Sequence, residues 1–419
     1  MAISPPLSAW PRIDTSPQLL ASTGDSYHDL ISIISPSGTF CNSYRGCESN
    51  FFKGAYWTPD GTSLLTHSED NGLRTFILPH NLLHGVDELH LTPHTTNFTP
   101  SRVYATAIYP FASLSSPETF VYLCSPRGAP IRLHSLLSPS LIGSYQLVNP
   151  HTETHDAPYS LVISPDTPTT FLAGTTNQIS IFDLNRPGSA PMTTLRTIPT
   201  RRSPATATTM KGIVTALALS SGILVAGTNT RQIGLYAGGG SGEVIGVFTL
   251  PGDNNSGAGG GITQLLWSVC GRYLYIAERR SSVVSVYDIR VHGSQIGSFR
   301  GRKAETNQRI GVDVATGLNG EVVGGGTDGV VKIWEANHVK EGRNPIECTG
   351  SWHAHQDAIS SAVVHPSGLV MATCSGSRKT FGLETSYDNS CTNTDKMVWD
   401  NSLKIWDISG HRRSLRQLM

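Results

Sequence analysis

The 419-residue sequence predicts an all-β fold, a seven-bladed β-propeller closed as a single domain. Two observations predict it. Charged residues make up only 15% of the chain, well under the roughly 25% of ordinary soluble proteins, while Gly reaches 42 residues. That balance suits short strands and turns better than long surface helices. The second observation is a strand–turn grammar that recurs roughly every 50 residues.

The first full copy is "GAYWTPDGTSLLTHSEDNGLRTFIL", from Gly54: an apolar run, a Pro-Asp-Gly turn, a second run, an Asp-Asn-Gly turn and a third run. A degenerate copy follows in "RVYATAIYPF" and "ETFVYLCSPRGAPIRLHSL". The pattern returns from Ala157, Gly212, Gly261, Arg309 and Ala358, the last copy finished by "NSLKIWDI" from Asn401. Each copy holds three clear strands and room for a fourth. Sheets this small cannot bury both faces alone, so they must stack around an axis.

Aromatic–acidic pairs close several third strands: Phe182-Asp183, Tyr287-Asp288, Trp334-Glu335 and Trp406-Asp407. His355 opens the last copy, and Asp70 and Asp328 sit in tight turns before third strands. Together they match the signature of WD40 repeats, and structural roles are expected for all of them. The last copy ends near Ser409, so its outer strand must come from elsewhere; "DLISIISP" or "TFCNSY" near the N-terminus is expected to supply it. Residues 1–25 are expected to be a flexible N-terminus, 26–410 the propeller with its seventh blade interrupted by an insertion at about 379–400, and 411–419 a basic tail.

Little points to catalysis. The glycine-rich segments "YAGGGSG" and "SGAGGGI" lack the Gly-Lys-Ser/Thr ending and the following helix of a phosphate loop. His353, His355 and His365 lie near Asp357 and Cys374 in sequence, but the repeat already accounts for them. The seven cysteines are scattered without a C-x-x-C pair, so reduced thiols in the nucleus or cytosol are expected, and no metal. No window has the length of apolar chain that spans a membrane, and no secretory signal opens the sequence. A non-catalytic binding platform is expected, without cofactor, membrane association or small-molecule substrate.

Net formal charge is zero, so any anionic partner must be held by a local patch. In a propeller, the connections between blades and the loops joining second to third strands open on one face. Arg300, Arg302, Lys303 and Arg309 fall in the connection from the fifth blade to the sixth, and Arg279 and Arg280 in the neighbouring second-to-third-strand loop. Arg378 and Lys379 take the equivalent loop of the seventh blade; Lys53 and Lys211 lead into the first and fourth. Such a rim could hold phosphates, with the amides of Asn307 and Gln308 reading base edges or capping a strand. Alternatively the cations pair with Glu278, Glu305 and Asp313, or grip an acidic protein as an interaction scaffold.

Three stretches carry a more specific resemblance. "FFKGAYWTPDGTSLLTHSEDNGLRTFILP", "HDAPYSLVISPDTPTTFLAGTTNQISIFDLNRPG" and "GRKAETNQRIGVDVATGLNGEVVGGGTDGVVKIWE" resemble the first, third and sixth blades of the telomerase Cajal body protein family, the WD-repeat protein antisense to p53. Thr306, Asn307, Gln308, Arg309 and Ile310 form the most diagnostic run, and the interruption of the seventh blade is also similar. The resemblance covers the chain from about residue 50, and its shortness resembles fungal members, whose link is to spliceosomal ribonucleoproteins. It implies a protein of the nucleus and its nuclear bodies, with some in the cytoplasm. It also implies binding to small nuclear RNA or telomerase RNA and work alongside ribonucleoprotein proteins.

Overall fold

The alternating apolar runs fold into seven sheets, antiparallel except for a short parallel fifth strand on two of them, in a computed structural model that describes residues 13–24, 50–83, 87–199, 209–252, 259–291, 293–318, 320–336, 339, 345–377 and 400–409. The first blade is Phe52–Trp57, Ser63–Ser68, Gly72–Ile77 and Thr95–Phe98. The degenerate copy becomes a regular second blade, Val103–Ile108, Val121–Pro126, Ile131–Ser135 and Leu141–Tyr145. The innermost strands of the remaining blades are Ser160–Ile163, Val214–Ser220, Ile262–Trp267, Val312–Val314 and Ile359–Val364. This is the seven-bladed WD40 propeller that the repeat predicts.

The seventh blade is closed by Gln18–Ser22, which pairs antiparallel with Leu403–Asp407. The closing strand therefore lies upstream of both expected segments, inside the stretch expected to be flexible; "DLISIISP" and "TFCNSY" fall outside the described residues. The physical reason is burial. Leu20 and Ala21 are fully buried in the core shared by the first and seventh blades, and each buried aliphatic side chain contributes about 1.5–3 kcal/mol. The seam between the two blades is polar as well: Trp57 Nε1 donates to the Val363 carbonyl at 3.0 Å, and His365 Nε2 meets the Gly61 carbonyl at 2.8 Å.

The signature residues stand where structural roles place them. Phe182, Tyr287, Trp334 and Trp406 close the third strands of their blades, and Asp183 and Asp407 cap the turns that follow by accepting from the N–H of Asn185 and Ser409. Asp288 holds Arg272 and Arg290. Asp70 accepts from the Gly72 N–H and pairs with the buried Arg74, while Asp328 accepts from the Val330 N–H. In the seventh blade Trp406 Nε1 donates to Thr373 Oγ1 at 2.8 Å, Thr373 meets His355 Nε2 at 2.7 Å, and His355 Nδ1 meets Asp400 Oδ1 at 3.2 Å. With Ser402 beside it, the group contains the parts of an acid–base relay. Yet His355, Asp400 and Ser402 are all buried, so no substrate can reach it. Burial lowers the His355 pKa, and Asp400 opposes that effect. For Asp400, burial opposes ionisation, but hydrogen bonds from His355, Ser402 and the Gln356 N–H outweigh it and hold the carboxyl well below the usual range.

Candidate nucleic-acid interface

Five innermost strands carry a register shift in their opening residues: between Phe52 and Gly54, Val103 and Ala105, Val214 and Ala216, Ile262 and Gln264, and Ile359 and Ser361. An extra residue in a strand bends it and re-aims a side chain. Here the extra residues are Lys53, Tyr104, Thr215, Thr263 and Ser360. The same irregularity thus recurs around the loop-face mouth of the central channel. The channel encloses about 310 Å³ and is lined by Lys53, Tyr56, Tyr159, Arg309 and Asp313 among others.

Arg309 leaves the sixth blade and crosses to the fourth and fifth. Its Nη2 donates to the carbonyls of Thr215 at 3.0 Å and Thr263 at 2.6 Å. The guanidinium presents accessible surface to the channel although protein surrounds it. Desolvation lowers its pKa, the Tyr56 phenol opposes the lowering, and Arg279 adds to it. The channel is lined by both Tyr56 and Arg309. Below it, Asp313 accepts from the Val364 N–H at 2.8 Å, and burial pushes its carboxyl up to about 6.

The remaining residues of the connection divide by depth. Lys303 and Asn307 are exposed; Lys303 Nζ stands 3.6 Å from Asp328 Oδ2. Arg300 is half-buried, and its backbone ties blades together, donating to the Ile346 carbonyl and accepting from Trp334 Nε1. Two residues depart from the expected open contacts. Gln308 spends its amide N–H₂ on the Gly376 carbonyl at 2.8 Å, joining the sixth blade to the seventh. Arg302 is only 3% exposed, with a single 3.3 Å bond from Nη2 to the Ser281 carbonyl. Alternation explains the burial: Arg302 and Ala304 point inward while Gly301, Lys303 and Glu305 point out. Desolvation alone pushes the Arg302 guanidinium down to about 10.

Arg279 and Arg280 are both exposed in the loop beside this connection, and the Arg280 N–H donates to the Thr306 carbonyl at 3.1 Å. Neither has a carboxylate partner among the described residues. Glu278, next to Arg279 in sequence, pairs instead with Arg231, and Glu69 takes both Lys53 and Arg102, while Glu305 is exposed. Lys211 and Arg127 are likewise exposed on this face without an ion pair among the described residues. Arg378 and Lys379 lie outside the described residues. Sequence reasoning missed Arg127 and the tyrosines Tyr56, Tyr104 and Tyr159. The available signal was their position, since Tyr104 and Tyr159 stand at the openings of successive innermost strands.

Similar sequences occur in known proteins. Over 335 residues the chain is 30% identical to the human "Telomerase Cajal body protein 1", a match covering 78% of this chain and 57% of the relative. The chain is a relative of the telomerase Cajal body proteins. The golden hamster protein of that name is 28% identical over 343 residues, 80% of this chain and 60% of the relative. This chain therefore matches under two thirds of the animal telomerase Cajal body proteins. The fission yeast "Guanine nucleotide-binding protein negative regulator 1" is 25% identical over 367 residues, 85% of this chain and 88% of the relative. No family model matches the chain.

Proposed function

We propose that this chain is a non-catalytic WD40 platform that binds a structured small RNA on its loop face and supports assembly or localisation of a ribonucleoprotein in the nucleus. One observation carries the reading. A molecule of zero net charge gathers Arg127, Lys211, Arg279 and Arg280, none with a carboxylate partner among the described residues, on a single face around a cation-lined channel. Cations without a carboxylate partner favour phosphate, which accepts charge-assisted hydrogen bonds from them. The animal relatives' name, which couples telomerase to a nuclear body, supports an RNA of the small nuclear or telomerase class. Lys303 and Asn307 extend the contact outward, while Arg302 and Gln308 support it from within.

The test is crosslinking and sequencing of RNA bound in cells, comparing wild type with an Arg279→Glu/Arg280→Glu/Lys303→Glu variant. Enrichment of discrete small RNAs with wild type and their loss with the variant is expected. Recovery of the same background from both would refute the reading. A second reading has its own support: the fission yeast relative is named as a regulator of a protein, and the same cations could grip an acidic partner. Co-purification of an acidic protein in place of RNA, lost with the same substitutions, would favour it.

A further inference from the structure

We propose that the mouth of the central channel receives one unpaired nucleotide of the bound RNA, its base stacking on Tyr56 and its acceptor edge taken by Arg309. This rests on the RNA-binding reading and assigns a part of the RNA to a part of the site. Several observations carry it. Tyr56 is an aromatic ring left 38% exposed inside a channel instead of packed in a core. It lies back along its own strand over Gly54, where an added Cβ would stand 3.3 Å from the phenol oxygen, so a side chain at Gly54 would crowd the ring. Tyr159, which lines the same channel, stacks on Tyr104 at 4.7 Å and 14°, giving the mouth a second aromatic group.

Arg309 supplies the polar half. Its Nη2 is held by two carbonyls, but its other N–H groups make no hydrogen bond within the described residues. A guanidinium donates and never accepts, so its natural complement is a base edge rich in acceptors, or a phosphate. Thr106 Oγ1 also lines the space and has no hydrogen-bond partner among the described residues. The carboxylate that lines the channel, Asp313, is engaged by the Val364 N–H. Size agrees: about 310 Å³ is at the small end of ligand pockets, suited to a single nucleotide. Duplex RNA, whose bases are stacked inside, cannot offer this group; an unpaired loop can.

The experiment uses the full chain, a fluorescein-labelled hairpin RNA with a randomised loop, and the same stem as a blunt duplex. Wild type should prefer the hairpin. Tyr56→Leu should weaken hairpin binding about tenfold, leave duplex binding unchanged and so erase the preference, while Tyr56→Phe keeps it. With 4-thiouridine in the loop, irradiation should attach RNA to Tyr56 or Tyr159, read by mass spectrometry. Unaltered hairpin preference in Tyr56→Leu, with duplex affinity confirming a folded protein, would overturn the proposal. So would a Tyr56→Leu variant that loses polyglutamate binding but retains RNA binding, since the channel would then serve an acidic peptide. Failure of the underlying reading looks different: neither RNA would bind in a salt-dependent way, and both claims would fall together.

Discussion

Arg309 and Arg302 show how neighbouring arginines with the same sequence signal reach opposite ends of one site. Both were visible as cations in an inter-blade connection. What the linear pattern does not encode is depth: residues 301–305 alternate in and out, but which set faces inward depends on how the connection packs. Ionisable groups at depth give testable consequences. The Asp313 carboxyl rises from 3.8 to about 6 through burial, so its folded pKa exceeds the unfolded one. The folded state then holds an extra proton between about pH 4 and 6, and that stabilising contribution disappears as pH rises through the window. Asp313→Asn is therefore expected to be more stable than wild type at pH 7, on the order of 2 kcal/mol, and equal to it near pH 4. Urea unfolding across that range checks the slope. His67 behaves oppositely. Burial first, then Lys53 and Arg309, lower it from 6.5 to about 3, with Asp70 opposing. Stability is present above about pH 6.5 and is lost as pH falls; the His67 ring should show no NMR titration between pH 5 and 8.

At the scale of the element, the blades were legible because their information is local: alternating apolar runs, Asp-Asn-Gly turns and aromatic ends to third strands. The closing strand was not. Gln18–Ser22 is five residues long, too short for its pattern to stand out against "DLISIISP", and its place depends on a partner nearly the whole chain away. It is nonetheless the clasp of the ring. Leu20→Ala is expected to cost about 3 kcal/mol and to accelerate amide exchange first in Leu403–Asp407, the strand it pairs with. Uniform acceleration across all seven blades would contradict a local clasp. The buried network of the seventh blade offers a second check. His355→Ala removes one buried hydrogen-bond partner from each of Asp400 and Thr373 and leaves a cavity, so a loss of about 3 kcal/mol is expected in thermal or urea unfolding.

For the whole molecule, charge is balanced in sum and unbalanced in space. Propeller topology made half of this legible, because inter-blade connections and second-to-third-strand loops must share a face. The other half needed coordinates. Whether a cation is spent depends on which acid lies across a blade boundary, as with Arg231 taking Glu278 away from Arg279. The tyrosine-lined mouth was hidden for a related reason: the bulges that present Lys53, Tyr104, Thr215 and Thr263 are features of pairing register. On the proposed RNA-binding reading, phosphate contacts supply affinity and base contacts preference, and the two respond differently to salt.

That difference makes the salt dependence of RNA affinity the most direct measurement. If the unpaired cations of the loop face hold phosphates, log affinity for a hairpin RNA should fall linearly with log salt, with a slope of about −3 for four or five contacts. The Arg279→Glu/Arg280→Glu/Lys303→Glu variant should show a shallower slope. A flat response in wild type, or equal slopes in the two proteins, would contradict the account.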